Sequence, residues 1–144
     1  MTSTTSYRSI LLPVDGSESA QHAMMIGLEL AKLFGSEVTA VSVVDLAGFA
    51  QATQGYMLPD MYAYADQAAQ AAVEEAMKAG KAMGVSVKGV VSRGSPAGDI
   101  IERSRGHNLI VMGTHGRSGV SHAVLGSVAE KVVRFAACPV MVVK

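Results

Sequence analysis

Residues 109–128 read LIVMGTHGRSGVSHAVLGSV, an apolar run followed by a glycine-rich loop and the start of a helix. The apolar run, residues 109–112, has the length and continuity of a strand covered on both faces of a sheet. Ser127 and Glu130 have the spacing of a capping box, which predicts that the last helix begins with Ser127 as its N-cap. The stretch therefore predicts a strand that leads through a loop into a helix, as in parallel α/β folds.

Four further apolar runs alternate with segments of helical periodicity along the chain. They lie at residues 10–14, 38–44, 85–91 and 140–143. Because each strand is followed by a helix, the strands should be parallel with right-handed crossovers. We predict one domain over residues 1–144, a doubly wound five-stranded parallel α/β sheet in the order 3-2-1-4-5, flanked by four helices. The predicted helices run from Ser17 to Gly35, from 65 to 83, from Ser95 to about 106, and onward from Ser127.

The connection at residues 46–64 shows no clear helical or strand pattern. It is too long for a simple strand-to-helix loop and holds three of the four tyrosines. Long loops in compact domains are often lids or contact surfaces, and the alternative is a partly disordered excursion.

The loop after the fourth strand has the features of an anion site. Doubly wound sheets bind ligands beyond the carboxyl ends of the strands, where the strand order reverses. With the first strand central, that point lies at residues 13–17 and 113–126. Glycines let backbone N–H groups approach an anion, and the N-terminus of the last helix carries a partial positive charge. Thr114, His115 and Arg117 add donors, so a polyphosphate fits this loop.

Better-known phosphate and catalytic motifs do not match the loop. The chain has no G-x-x-x-x-G-K-[ST] sequence, and no G-x-G-x-x-G follows the first strand. Gly116, Arg117, Ser118 and Gly119 are one residue short of a G-x-S-x-G nucleophile elbow.

The composition excludes several classes of protein. Hydrophobic residues make up 49% and charged residues 17%, which indicates a folded chain, and no window is apolar enough for a membrane span. The net charge of zero and 5% aromatic content disfavour nucleic-acid binding. The one cysteine, Cys138, fits a reducing, cytoplasmic interior, where we expect it to act as a small buried hydrophobe. His115 and His122 have no Cys or second acidic residue nearby, so we expect no metal site.

Several motifs together resemble a known family. The loop resembles the nucleotide-binding signature of the universal stress protein family, in its ATP-binding branch. Two residues separate Gly113 from Gly116, and nine residues separate Gly116 from Gly126-Ser127. Residues 13–17, PVDGS, look like that family's opening motif. Residues 43–45 and 138–140 are also similar to it, and the resemblance covers residues 7–144.

The resemblance implies a fold, a ligand and an assembly. The fold would be Rossmann-like, of the adenine nucleotide alpha hydrolase type, and the ligand would be ATP. It also implies a homodimer in which the last strand, Val140–Val143, pairs antiparallel across a two-fold axis. The implied binding residues, together with the donors proposed from the loop itself, are Pro13, Val14, Asp15, Val43, Met112, Gly113, His115, Gly116, Arg117, Gly126, Ser127 and Val128.

We therefore expect a cytoplasmic ATP-binding regulatory protein of the stress response. No general base stands out near the expected γ-phosphate, so hydrolysis should be absent or slow, with Mg²⁺ bridging the phosphates. Two alternatives stay open. One is a hydrolase or transferase that uses Asp15 or His115 as its base. The other is an interaction module that retains the loop only as structure.

Overall fold

The computed structural model describes residues 7–52, 54, 59–115 and 124–144. Its strands form one parallel sheet in the order β3-β2-β1-β4-β5, which confirms the predicted order and the central place of the first strand. The strands are β1 (Ser9–Pro13), β2 (Glu37–Asp45), β3 (Val87–Gly94), β4 (Leu109–Gly113) and β5 (Val140–Val143).

Helices cover both faces of the sheet. They are α1 (Glu18–Phe34), α2 (Leu46–Ala52), α3 (Pro59–Ala82), α4 (Pro96–Arg103) and α5 (Ser127–Phe135), with a 3-10 turn at Ser104–Gly106. No helix in the described part of the chain is both long and apolar enough to cross a bilayer.

The central strand shows how the two faces are filled. Ile10, Leu11 and Leu12 have no exposed surface. Ile10 and Leu12 pack into a cluster with residues of α1 and α3, whereas Leu11 packs into a second cluster with residues of α4 and α5. The alternation follows from the two-residue period of a strand, and burial of each such side chain contributes roughly 1.5–3 kcal/mol.

The ends of α1 follow the sequence prediction. The hydroxyl of Ser17 accepts the N–H of Ala20 at 3.2 Å, which makes Ser17 the N-cap. Gly35 ends the helix in the left-handed region, with φ of 69°. These caps place the first turn of α1 beside the carboxyl end of β1.

Residues 46–64 differ from the prediction, because much of this segment is helical. Asp45 Oδ1 accepts the N–H of Gly48 at 2.8 Å and so supports the first turn of α2. Helix α3 begins at Pro59, six residues before the predicted start at 65. The prediction of four flanking helices is therefore wrong, since the described residues contain five. The third strand also lies later, at Val87–Gly94 instead of 85–91.

The predicted capping box at the start of α5 is also wrong. Ser127 is the first helical residue, and the N-cap is Gly126, with φ −63° and ψ 156°. The N–H of Gly126 donates to the carbonyl oxygen of Thr114 at 2.8 Å, and this contact turns the chain one residue before Ser127. Near the end of α5, Cys138 is half-buried and packs against the second cluster, so it is less enclosed than predicted.

Candidate functional site

A cavity of about 420 Å³ lies at the carboxyl ends of β1, β2 and β4. Cavities of about 300–1,000 Å³ are typical of small-molecule sites. The starts of α4 and α5 and the first turns of α3 complete its walls. The site thus lies where the strand order reverses, as the sequence predicts.

The end of β1 forms one wall of the cavity through Pro13, Val14 and Asp15. The N–H of Val14 donates to the carbonyl oxygen of Val41 at 2.9 Å, which extends the pairing of β1 with β2 beyond the strand. Asp15 Oδ1 accepts the N–H of Ser17 at 2.8 Å. Asp15 therefore stabilises the turn into α1 as an Asx residue does, and it also faces the cavity.

Two glycines of the signature are required by close packing. A Cβ at Gly113 would lie 2.8 Å from the backbone of Ser19, in the first turn of α1. A Cβ at Gly126 would lie 2.9 Å from the carbonyl oxygen of Thr114. Real Cβ atoms do not approach backbone so closely, so both positions need glycine even without a ligand.

The first turn of α5 presents three backbone amides to the cavity. The first hydrogen bond within the helix runs from Glu130 N–H to the carbonyl oxygen of Gly126 at 2.9 Å. The N–H groups of Ser127, Val128 and Ala129 have no acceptor among the described residues, and Gly126 supplies no capping side chain. All three residues line the cavity. Unpaired amides at a helix N-terminus favour an anion.

His115 connects the chain on the two sides of residues 116–123. Its Nε2 lies 2.6 Å from the carbonyl oxygen of Val124, and its Nδ1 lies 2.9 Å from the hydroxyl oxygen of Thr114. A carbonyl oxygen only accepts, so Nε2 carries a hydrogen and donates it to Val124. The ring therefore has a structural role in positioning the start of α5.

The cavity brings most of the predicted site residues together. Gly116 and Arg117 fall outside the described residues. The predicted residues that line the cavity are Pro13, Val14, Asp15, Val43, Met112, Gly113, His115, Gly126, Ser127 and Val128.

Other lining residues escaped the sequence analysis. Tyr64 stands at the wall formed by α3 and is 70% exposed. Asp45 and Ser42 also line the cavity, and both lie on β2. Among the described lining residues the carboxylates are Asp15 and Asp45, and none is lysine or arginine. Among the described residues, the donors that an anion would meet are therefore backbone amides and neutral side chains such as the Ser127 hydroxyl.

Sequence comparison places the chain in a family. The family model of the universal stress protein family matches residues 6–144. The chain belongs to the universal stress protein family. It is 35% identical over 140 residues to universal stress protein MJ0531 of Methanocaldococcus jannaschii, covering 96% of this chain and 82% of that protein.

Solved structures of universal stress proteins have the same fold. The structure of hypothetical protein MJ0577 superposes with a TM-score of 0.77 at 29% identity, over 96% of each chain. Universal stress protein of Archaeoglobus fulgidus in complex with dAMP gives a TM-score of 0.70 at 22% identity, over 96% of this chain and 98% of that one. A universal stress protein family member from Arabidopsis thaliana with AMP bound gives 0.66 at 17% identity, over 94% and 90%.

Proposed function

We propose that this universal stress protein binds an adenine nucleotide, with ATP as the expected ligand, and acts as a nucleotide-dependent regulator in the stress response. One observation carries the proposal. The amides of Ser127, Val128 and Ala129 have no acceptor in the described residues and line a cavity of about 420 Å³. Phosphate oxygens are the acceptors that such a helix start favours.

The other end of the cavity suits an adenine base. Apolar side chains from β1, β2 and α3 line it, including Val14, Val44 and Ala65. Solved structures of this fold are described in complex with dAMP and with AMP. A bound nucleotide would pack its base against these apolar side chains and place its phosphates at the first turn of α5.

Hydrolysis is slow or absent in this proposal. Asp15 already accepts a hydrogen bond from Ser17, and His115 Nε2 donates to Val124, so both candidate bases have structural contacts. Turnover with Mg-ATP should stay below ~1 s⁻¹, under the usual range of enzymes. Mg²⁺ carried by the nucleotide would neutralise part of the phosphate charge.

The proposal includes a cytoplasmic homodimer. Strand β5 lies at the edge of the sheet, where its described pairing is with β4 alone, and Met141 on it is 39% exposed. An apolar edge strand is a ready template for pairing with a second copy of the chain. The single cysteine fits a reducing compartment.

A pair of variants at Ser127 tests the amides directly. Ser127→Pro removes the N–H and the hydroxyl, whereas Ser127→Ala removes the hydroxyl alone. Proline is tolerated at the first helical position, and Gly126 already has the extended ψ of 156° that a residue before proline prefers. Both variants should therefore retain the fold, with circular dichroism and thermal melting as the checks.

Calorimetry with ATP then separates the possible functions. We expect Ser127→Pro to weaken binding about tenfold or more relative to Ser127→Ala, since a hydrogen bond to a charged group contributes about 1.5–3 kcal/mol. Equal affinities of the two variants would contradict the role of this amide.

The tight packing of Gly113 and Gly126 favours a second candidate, an interaction module that retains the loop as structure. Wild-type protein that binds neither ATP nor AMP would support it.

A further inference from the structure

Ser42 is a buried polar residue at the cavity, away from the first turn of α5. It lies on β2, is only 4% exposed and lines the cavity. Its hydroxyl has no hydrogen-bond partner among the described residues. The hydroxyl can therefore donate to, and accept from, a molecule that enters the cavity.

The other two buried serines of the described residues behave differently. The hydroxyl of Ser36 donates to the carbonyl oxygen of Tyr7. The hydroxyl of Ser104 donates to the carbonyl oxygen of Ile101 at 2.5 Å and accepts the N–H of Ala137 at 2.8 Å. Every described side-chain N or O atom that is closed off from solvent has a partner. The Ser42 hydroxyl therefore reaches the open space of the cavity.

The surroundings of Ser42 form a recess on the α3 side of the sheet. Ala40 and Val44, two residues before and after Ser42, pack on that side, and Val44 clusters with Ala65 and Ala69 of α3. Ser42 faces the same way because side chains alternate along a strand. The two alanines are small and also line the cavity, which leaves space above the hydroxyl.

We infer that Ser42 is a specificity-determining residue whose hydroxyl hydrogen-bonds the polar edge of the purine base. This inference rests on the proposed nucleotide binding. The recess suits a flat, neutral heteroaromatic ring, because Ala65 and Ala69 give it small apolar walls and Asp45, at the end of the same strand, would repel phosphate. A hydroxyl donates and accepts, so it can serve either a ring nitrogen or an exocyclic amino group.

Two serine variants test the inference by calorimetry with AMP and ATP and by thermal melting without ligand. Ser42→Ala should weaken both nucleotides about two- to tenfold, the range for loss of one neutral hydrogen bond, without lowering the melting temperature, because no partner is lost. Ser36→Ala is the matched control. It should lower the melting temperature, through loss of the bond to Tyr7, and leave the affinities unchanged.

Base analogues identify the edge that Ser42 reads. Purine riboside monophosphate lacks the amino group, and 7-deaza-AMP and 1-deaza-AMP each lack one ring nitrogen. For wild type, at least one analogue should bind more weakly than AMP. For Ser42→Ala, the same analogue should bind as tightly as AMP, because the serine substitution and the analogue each remove the same hydrogen bond. The inference would be overturned if, for all three analogues, the affinity lost through the analogue simply added to the affinity lost through Ser42→Ala. It would also be overturned if Ser42→Ala bound AMP as tightly as wild type. If wild type binds neither AMP nor ATP, the proposed function itself fails, which is a separate and recognisable result.

Discussion

The Nε2 atom of His115 lies 2.6 Å from the carbonyl oxygen of Val124, so one side chain joins the chain before and after residues 116–123. Close by, the N–H of Gly126 donates to the carbonyl oxygen of Thr114 at 2.8 Å. Both contacts come from residues directly after β4 and fix where α5 begins. Neither contact uses the amides of the first helical turn, whose residues line the cavity.

Replacement of His115 by alanine should weaken nucleotide binding about three- to tenfold. Binding would then have to order the start of α5, which the imidazole fixes in advance in wild type. Calorimetry with ATP measures the effect, and His107→Ala is the control, because His107 bonds the Arg103 carbonyl at the other end of β4. Unchanged affinity combined with loss of turnover would contradict this role and indicate that His115 is a base.

Gly126→Ala should destabilise the fold by about 1–3 kcal/mol, because its Cβ would lie 2.9 Å from the Thr114 carbonyl oxygen. The φ of −63° suits alanine, so the effect is steric and not due to backbone strain. Urea unfolding measures it. Gly106→Ala is the matched control, since its Cβ would have no atom within 4 Å, and a change within about 0.5 kcal/mol is expected. Equal effects of the two variants would show that the junction is looser than described.

Cys138 should react slowly with iodoacetamide at neutral pH. Burial raises the pKa of its thiol above the ordinary value of 9.0, so the reactive thiolate is scarce. Because the folded pKa exceeds the unfolded one, this group's contribution to stability is fully present below pH 9.0 and is lost as the pH rises through the folded value. Mass spectrometry should show much faster alkylation in urea than in buffer. Equal rates in both would refute the prediction.

Met141→Glu should convert a dimer into a monomer, if β5 pairs across a two-fold axis as proposed. The substitution places two carboxylates at the paired edge, whereas in the monomer the side chain is already 39% exposed. Light scattering measures the mass. Leu33→Glu, at a position 77% exposed near the end of α1, is the control and should leave the mass unchanged. A dimer that survives Met141→Glu would point to another interface.

The sheet could be predicted because its signals are local. Continuous apolar runs gave all five strands, and Ser17 and Gly35 marked the ends of α1. Helix α5 opens at Ser127 as predicted, but its N-cap could not be predicted, because Gly126 takes that place through a bond to Thr114, twelve residues earlier. A spacing of Ser and Glu does not show such a contact.

The parts of the site that were missed depend on elements far apart in the chain. Asp45 ends β2 and also supports α2, and only the path of the chain after it shows the second role. Ser42 faces a recess because small residues of α3, Ala65 and Ala69, lie across from it. The sequence of β2 alone does not show which residues lie opposite Ser42, and a single serine in a strand does not by itself indicate a site.

The most direct test of the central claim is a nitrogen-15 amide titration of the protein with ATP. The Ser127, Val128 and Ala129 amide signals should show saturable shifts, larger than those of the α1 amides, because phosphate oxygens accept from the first turn of α5. Saturable binding that leaves these three signals in place would contradict that claim.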